Sequence, residues 1–241
     1  EQLNQNAPPS VVTLGGNIKY DAPLLAVDST ALKFLKAAIG DRPHWLAAST
    51  HPGDELAAAE AHATLAGKIP NLLTLIAPRH PVRTTEIVAM LRRRGLNVAM
   101  RSRDETITAE TDIYIADTLG EMGVLYRVAG TVFIAGSLAS HGGHNPVEPA
   151  LLNNALLAGP DMRNFEDACT TLTKANALTR INSAEALADA LELLLQNPAL
   201  RQTQAAAAKT SARALGGASA TALNEIMRLL AQTEELTHAH T

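Results

Sequence analysis

The residues best suited to chemistry fall in short clusters. They are Ser49-Thr50-His51-Pro52-Gly53-Asp54-Glu55, Pro78-Arg79-His80-Pro81, Asp117-Thr118-Leu119-Gly120-Glu121, Gly136-Ser137, Gly142-Gly143-His144-Asn145-Pro146-Val147-Glu148 and Gly159-Pro160. Their types suit an anionic, hydroxylated ligand. The Gly142-Gly143 pair lets the backbone bend and approach a ligand closely. Asn145 is a good N-cap and Pro146 a good first helical residue. A helix starting there aims free amides and the positive end of its dipole at a phosphate. Arg79 can add a bidentate, charge-assisted contact. Glu148, one turn into that helix, can accept hydrogen bonds from sugar hydroxyls. Gly120 and Glu121 begin another helix.

Each cluster also has a local reading. Asn145 with Glu148 three residues on fits a capping box. Arg79 fits a surface ion pair. His51, His80, His141 and His144 fit hydrogen-bonded loop histidines. His141-x-x-His144 is short, glycine-rich and without a clear third ligand, so it is not assigned to a metal. Arg92-Arg93-Arg94 reads as a solvated helix face or a patch for anionic lipid.

The elements that must position these clusters alternate. Apolar runs predict strands at 45–48, 72–77, 97–100, 112–116, 131–135, 155–158 and 178–181. Helical patterns cover about 29–39, 54–65, 84–94, 121–129, 146–153 and 165–174. From Ser183 onward the pattern is helical, at about 183–195, 198–213 and 218–235. Short buried strands alternating with helices imply βαβ units and a parallel sheet. Five of the seven strand ends carry the clusters above. An open parallel sheet binds its ligands beyond the carboxyl ends of its strands, so one crevice is expected to collect them.

Composition narrows the classes. The chain has 241 residues, 46% hydrophobic and 18% charged, with a formal net charge of −4. It is long enough for a sizeable core. Mild acidity argues against a nucleic-acid partner, which calls for a basic stripe. The single Cys169 rules out a disulfide framework and a cysteine zinc site; it reads as a small buried hydrophobe. No apolar run reaches the ~18 residues of a membrane span. The start, Glu1-Gln2-Leu3-Asn4, is neither an initiator methionine nor a signal peptide. The dinucleotide fingerprint G-x-G-x-x-G, the P-loop and the G-x-S-x-G elbow are missing. Leu119 stands where a paired-aspartate metal element would need a second acid, so no metal or other cofactor is expected.

In order and spacing, these clusters resemble the bacterial 3-deoxy-D-manno-octulosonic acid (Kdo) transferases of lipopolysaccharide biosynthesis. Ser49-Thr50-His51-Pro52-Gly53, Pro78-Arg79-His80-Pro81, Asp117 to Glu121, Gly136-Ser137-Leu138 and Gly142 to Pro149 carry the resemblance. Gly15-Gly16-Asn17-Ile18-Lys19-Tyr20-Asp21 resembles the segment linking that family's two domains. Leu119 stands where a methionine is usual, Val147 for a leucine and Ala135 for a glycine. Asp54-Glu55-Leu56 replaces a more acidic run.

The resemblance implies an α/β fold, a Rossmann-like parallel sheet flanked by helices, as the C-terminal half of a GT-B glycosyltransferase. Residues 1–22 would be linker and the end of an absent N-terminal domain, and 23–241 the CMP-Kdo-binding domain. The implied nucleotide contacts are Pro78, Arg79, Leu119, Gly120, Glu121, Asn145, Pro146, Val147 and Glu148, with Ser49, Thr50, His51 and His144 as neighbours. CMP-Kdo would be the donor and a lipid A precursor the acceptor. The acceptor site, general base and membrane anchor would belong to the absent half, leaving no catalytic residue here. The whole protein would work at the cytoplasmic face of the inner membrane, and this chain would be soluble. Two alternatives stay open: another GT-B nucleotide-sugar enzyme, such as a UDP-sugar transferase or an epimerase, or a non-catalytic nucleotide-sugar binding module.

Overall fold

A computed structural model describes residues 15–21 and 23–238. Most of the stretch read as linker, residues 1–14 and 22, lies outside the described residues. The chain divides into two units, residues 24–212 and residues 1–23 with 213–241.

The larger unit is built on seven parallel strands: β1 (His44–Thr50), β2 (Leu73–Pro78), β3 (Val98–Met100), β4 (Ile113–Ile115), β5 (Thr131–Ile134), β6 (Ala155–Ala158) and β7 (Leu178–Arg180). Their order is β3-β4-β2-β1-β5-β6-β7, with Trp45 opposite Thr74 and Ala47 opposite Phe133. Every residue of β2 is buried, as a strand covered on both faces requires.

The helices are α1 (Ser29–Ile39), α2 (Asp54–Ala66), α3 (Thr84–Arg93), α4 (Met122–Ala129), α5 (Val147–Leu151), α6 (Glu166–Lys174), α7 (Ala184–Gln196) and α8 (Pro198–Ala214). Local chemistry starts and stops them. Asp28 caps α1 by accepting from the amides of Thr30 and Ala31, and Gly40 closes it at φ 59°. Ser183 caps α7 through the amide of Ala186, 3.1 Å away. α2 packs on α7 and α1 on α4. Trp45, Ala47, Ile76, Ile113, Ile115 and Phe133 form one core with Ala58, Leu65, Ile87, Leu91, Leu187 and Leu191.

The helix expected at 146–153 is shorter and starts one residue later. Asn153 turns left-handed at φ 63° and ends it. β1 runs two residues past its expected end. Its register shifts between Ala48 and Thr50, where Ser49 sits at φ 60°. Cys169 is fully buried, and burial pushes its thiol up to about 12.

The direction of the crossovers places the crevice. From β1 the chain moves toward β2 and β3 through α2 and α3. From β4 it moves the other way, to β5, β6 and β7, through α4, α5 and α6. With right-handed crossovers these helices lie on opposite faces of the sheet. The loops leaving β1 and β5 therefore part, and a crevice opens between them at the carboxyl edge. At the opposite edge Arg42 closes the structure, donating to the carbonyls of Asn71, Leu72, Thr108 and Thr111.

In the smaller unit a 3-10 turn at Ile18–Asp21 meets α9 (Ala218–His238). The Asp21 carboxylate accepts from the amides of Gly217 (2.5 Å) and Ser219 (2.6 Å), at the start of that helix. These bonds hold it below the ordinary carboxylate range. No described helix is long and apolar enough to cross a membrane.

Candidate functional site

Two consecutive acids at the start of α2 assemble the crevice. Asp54 is fully buried. Its Oδ2 accepts from the amide of His51 at 3.0 Å and from that of Gly136 at 2.8 Å. It thereby ties the loop after β1 to the loop after β5. Burial raises its pKa, and the two amides pull it back. Glu55, 2% exposed, accepts from Thr50 Oγ1 at 2.9 Å and Arg83 Nη1 at 2.8 Å. That ties in the loop after β2.

Four histidines converge as a result. His51 Nε2 lies 2.9 Å from His144 Nε2. His141 stacks on His51 with centroids 4.2 Å apart, and His80 meets it edge-on at 5.8 Å. Gly136 makes room: a Cβ there would sit 3.2 Å from the His144 ring and 3.4 Å from that of His51. Its φ of 72° is one that glycine adopts freely. Burial first, then neighbouring imidazoles and Arg79, holds His51 at about 4. Burial first, then Arg79, does the same for His144. Both rings are neutral at pH 7, and one must donate its Nε2 proton to the other.

Arg79 follows β2. Its amide donates to Thr50 O at 3.0 Å, which fixes the backbone. Its side chain is exposed and makes no hydrogen bond or ion pair among the described residues. The ion-pair reading of Arg79 is thus not what the fold shows. Pro78 is buried as the last residue of β2, opposite Thr50.

On the β5 side, Gly143 donates its amide to Gly136 O at 3.1 Å, and Gly142 to Asp161 Oδ2 at 2.9 Å. Asn145 Oδ1 accepts from the amide of Val147 at 3.0 Å, so that amide is capped rather than free for a phosphate. Of the amides expected at this helix start, the one of Val147 is therefore occupied by its Asn145 cap. Val147 and Pro146 are buried and shape the turn. Glu148 is half-buried; its bonding partner is Asn145 Nδ2 at 3.3 Å. Burial raises its pKa, and its charge reaches Tyr126 on α4. The carboxylate retains capacity for a ligand hydroxyl.

The Asp117 to Glu121 cluster is held differently. Arg101 grips Glu121 with Nη2 to Oε1 at 2.9 Å and Nε to Oε2 at 3.1 Å, and Thr118 donates to the same carboxylate. The Arg101 bonds, foremost, keep Glu121 below its ordinary range. Asp117 accepts from the amide and hydroxyl of Ser102 at 2.8 and 2.7 Å. The loop after β4 is thus bound to the loop after β3. It presents Leu119, 81% exposed, beside Gly120 at φ 83°.

The structure therefore brings Ser49, Thr50, His51, Arg79 and His144 to one crevice. Glu148 stands with Asn145 on its β5 wall, and Glu121 belongs to an Arg101-centred cluster. Asp54 and Glu55 lie in a cluster expected at this edge, whereas Arg83 and Arg101, which hold the site with them, were in none of the clusters. Two adjacent acids opening a helix three residues after a strand were the available sign for the first two. Among the described residues no group of three His, Cys, Asp or Glu is arranged to hold a metal ion.

The seven-stranded parallel sheet flanked by helices has the Rossmann-like architecture of a GT-B glycosyltransferase domain. The chain is similar in fold to a UDP-N-acetylglucosamine 2-epimerase homologue from Listeria monocytogenes, at TM-score 0.59 and 15% identity, over 97% of this chain and 56% of that one. It is more similar to the C-terminal CMP-Kdo binding domain of WaaA from Acinetobacter baumannii. There the TM-score is 0.71 at 29% identity, over 76% of this chain and 95% of that one.

By sequence the chain is a relative of the 3-deoxy-D-manno-octulosonic acid transferases. It is 34% identical to that of Haemophilus influenzae over 201 residues, 81% of this chain and 46% of that protein. It is 32% identical to that of Bordetella pertussis over 224 residues, 91% of this chain and 52% of that protein. The chain thus spans about half the length of these relatives. No protein-family profile matches it.

Proposed function

We propose that this chain is the donor-binding domain of a transferase that moves Kdo from CMP-Kdo to a lipid A precursor. The observation that carries this is the crevice itself. The Arg79 guanidinium, unpaired among the described residues, stands beside the neutral His51–His144 pair, and Glu148, bonded to Asn145, opens the helix that follows the β5 loop. Arg79 suits the cytidylate phosphate, and Glu148 suits the ribose hydroxyls. Exposed Leu119 and the Gly120 turn offer an apolar surface for the base. The WaaA domain, 29% identical, is one that binds CMP-Kdo.

In the whole protein an acceptor hydroxyl attacks the anomeric carbon of Kdo. The bond from that carbon to the phosphate oxygen breaks, and CMP leaves with the electron pair. Arg79 and the imidazoles stabilise the charge that grows on the phosphate, without a divalent metal. The proton of the attacking hydroxyl passes to a base outside this chain. The acceptor site and the anchor to the cytoplasmic face of the inner membrane also lie outside it.

Calorimetric titration with CMP tests the reading, with UMP as competitor. Wild type is expected to bind CMP, and to prefer it to UMP. Arg79→Ala and Glu148→Ala are each expected to weaken binding about tenfold or more, the loss of one charge-assisted contact. Absence of CMP binding, or equal binding by both variants, would overturn it.

A further inference from the structure

The crevice gathers four imidazoles and a guanidinium. His80 comes with Arg79 from the loop after β2, and His141 with His144 from the loop after β5; all three rings lie against His51. The acids nearby are committed elsewhere. Asp54, at the start of α2, accepts from the backbone amides of His51 and Gly136, and Glu55 accepts from Thr50 and Arg83. Glu148 is bonded to Asn145. The groups facing the His51–His144 pair are therefore Arg79, His80 and His141, each cationic or able to become so.

The pair has a defined place for one more proton. One ring donates its Nε2 proton to the Nε2 of the other, so the accepting ring carries its own proton on Nδ1. The Nδ1 of the donating ring is bare. Neither Nδ1 makes a hydrogen bond among the described residues. A further proton lands on the bare Nδ1 and keeps the Nε2–Nε2 bridge. The pair then has one positive charge and two outward N–H donors. Without an anion, burial opposes that charge, and so do the neighbouring rings and Arg79. An anion beside the rings reverses the balance.

A phosphate monoester is such an anion. Its second pKa is about 6, so it carries close to two charges at pH 7.5. Arg79 matches one of them; Arg83 is already held by Glu55. We propose that the His51–His144 pair is the second cation of the phosphate site, made by binding, the dianion drawing one proton from water onto the pair. This rests on the donor reading and gives the pair a part in the reaction. In the intact donor the phosphate is a diester with one charge, which Arg79 matches. As the bond from the anomeric carbon to the phosphate oxygen breaks, the electron pair stays on that oxygen. The phosphate gains a second charge, and the protonated pair meets it through its Nδ1–H groups. The proton returns to water when CMP leaves.

Calorimetry of the chain with CMP at pH 7.5, in buffers of different ionisation enthalpy, counts the protons. Wild type should take up about half a proton or more per CMP, and its affinity should rise about threefold or more from pH 8 to pH 7. Cytidine 5′-phosphate methyl ester, a monoanion, should bind with less than half that uptake. His144→Gln should still bind CMP, more weakly, and take up no proton. The wild-type imidazole nitrogen resonances, which need no variant, should show His51 and His144 becoming imidazolium on saturation with CMP while His80 and His141 keep their state. CMP binding without proton uptake, equal uptake with the methyl ester, uptake retained in His144→Gln, or a proton placed on His80 or His141 would each overturn this proposal and leave the donor reading standing. No CMP binding at all would overturn both.

Discussion

His51 and His144, 93 positions apart in sequence, face each other Nε2 to Nε2 at 2.9 Å. Both are held at about 4, below the ordinary 6.5. The folded chain therefore refuses protons that the unfolded chain takes up between pH 6.5 and 4. Their effect on stability is absent well above pH 6.5 and becomes a loss as pH falls through that window. Urea midpoints at pH 7.5 and 5.0 check this. Wild type should lose more stability between the two than His51→Gln does. An equal loss would place the histidines outside the acid response.

Asp54 is what lets that pair form. Its carboxylate serves two backbone amides while fully buried. Asp54→Ala leaves both donors without a partner and should cost about 3 kcal/mol. Asp54→Asn, which keeps one acceptor, should cost less. Denaturant unfolding gives both values. Amide shifts of His51 and Gly136 should move together in each variant.

The strands were legible because long apolar runs such as Leu72–Ala77 and Thr131–Ala135 admit few alternatives. The crevice was legible as a set of odd residues after strand ends. Its interior wiring was not. Asp54 and Glu55 fall in the cluster after the first strand, but nothing local says that Gly136, 82 residues away, supplies a donor. Glu121 looked like a ligand group because its partner Arg101 follows a different strand. Asn145 and Glu148 offered both a capping and a binding reading. The structure gives the capping role to Asn145, whose Nδ2 also donates to Glu148 at 3.3 Å.

Glu121 and Arg101 should behave as a structural pair. Each is about three-quarters buried, and they share three hydrogen bonds. Glu121→Ala and Arg101→Ala should each lower stability by roughly 1 kcal/mol, with the double variant close to either single one. CMP affinity should fall far less in Glu121→Ala than in Glu148→Ala. The reverse ranking would assign Glu121 to the ligand.

Gly159, after β6, leaves no room for a side chain. A Cβ would come within 2.5 Å of the Ser137 backbone, and the Gly159 amide already donates to Ser137 Oγ at 2.7 Å. Gly159→Ala must push the two loops apart. It should lower stability by about 2–3 kcal/mol, at the upper end of overpacking costs. Thermal or urea unfolding reads it directly.

A crystal structure of the chain with CMP is the most direct measure of the central claim. The phosphate should lie within hydrogen-bond reach of Arg79 beside the His51–His144 pair, and the ribose hydroxyls against Glu148. CMP bound away from the β1–β5 crevice, with Arg79 and Glu148 both untouched, would contradict it.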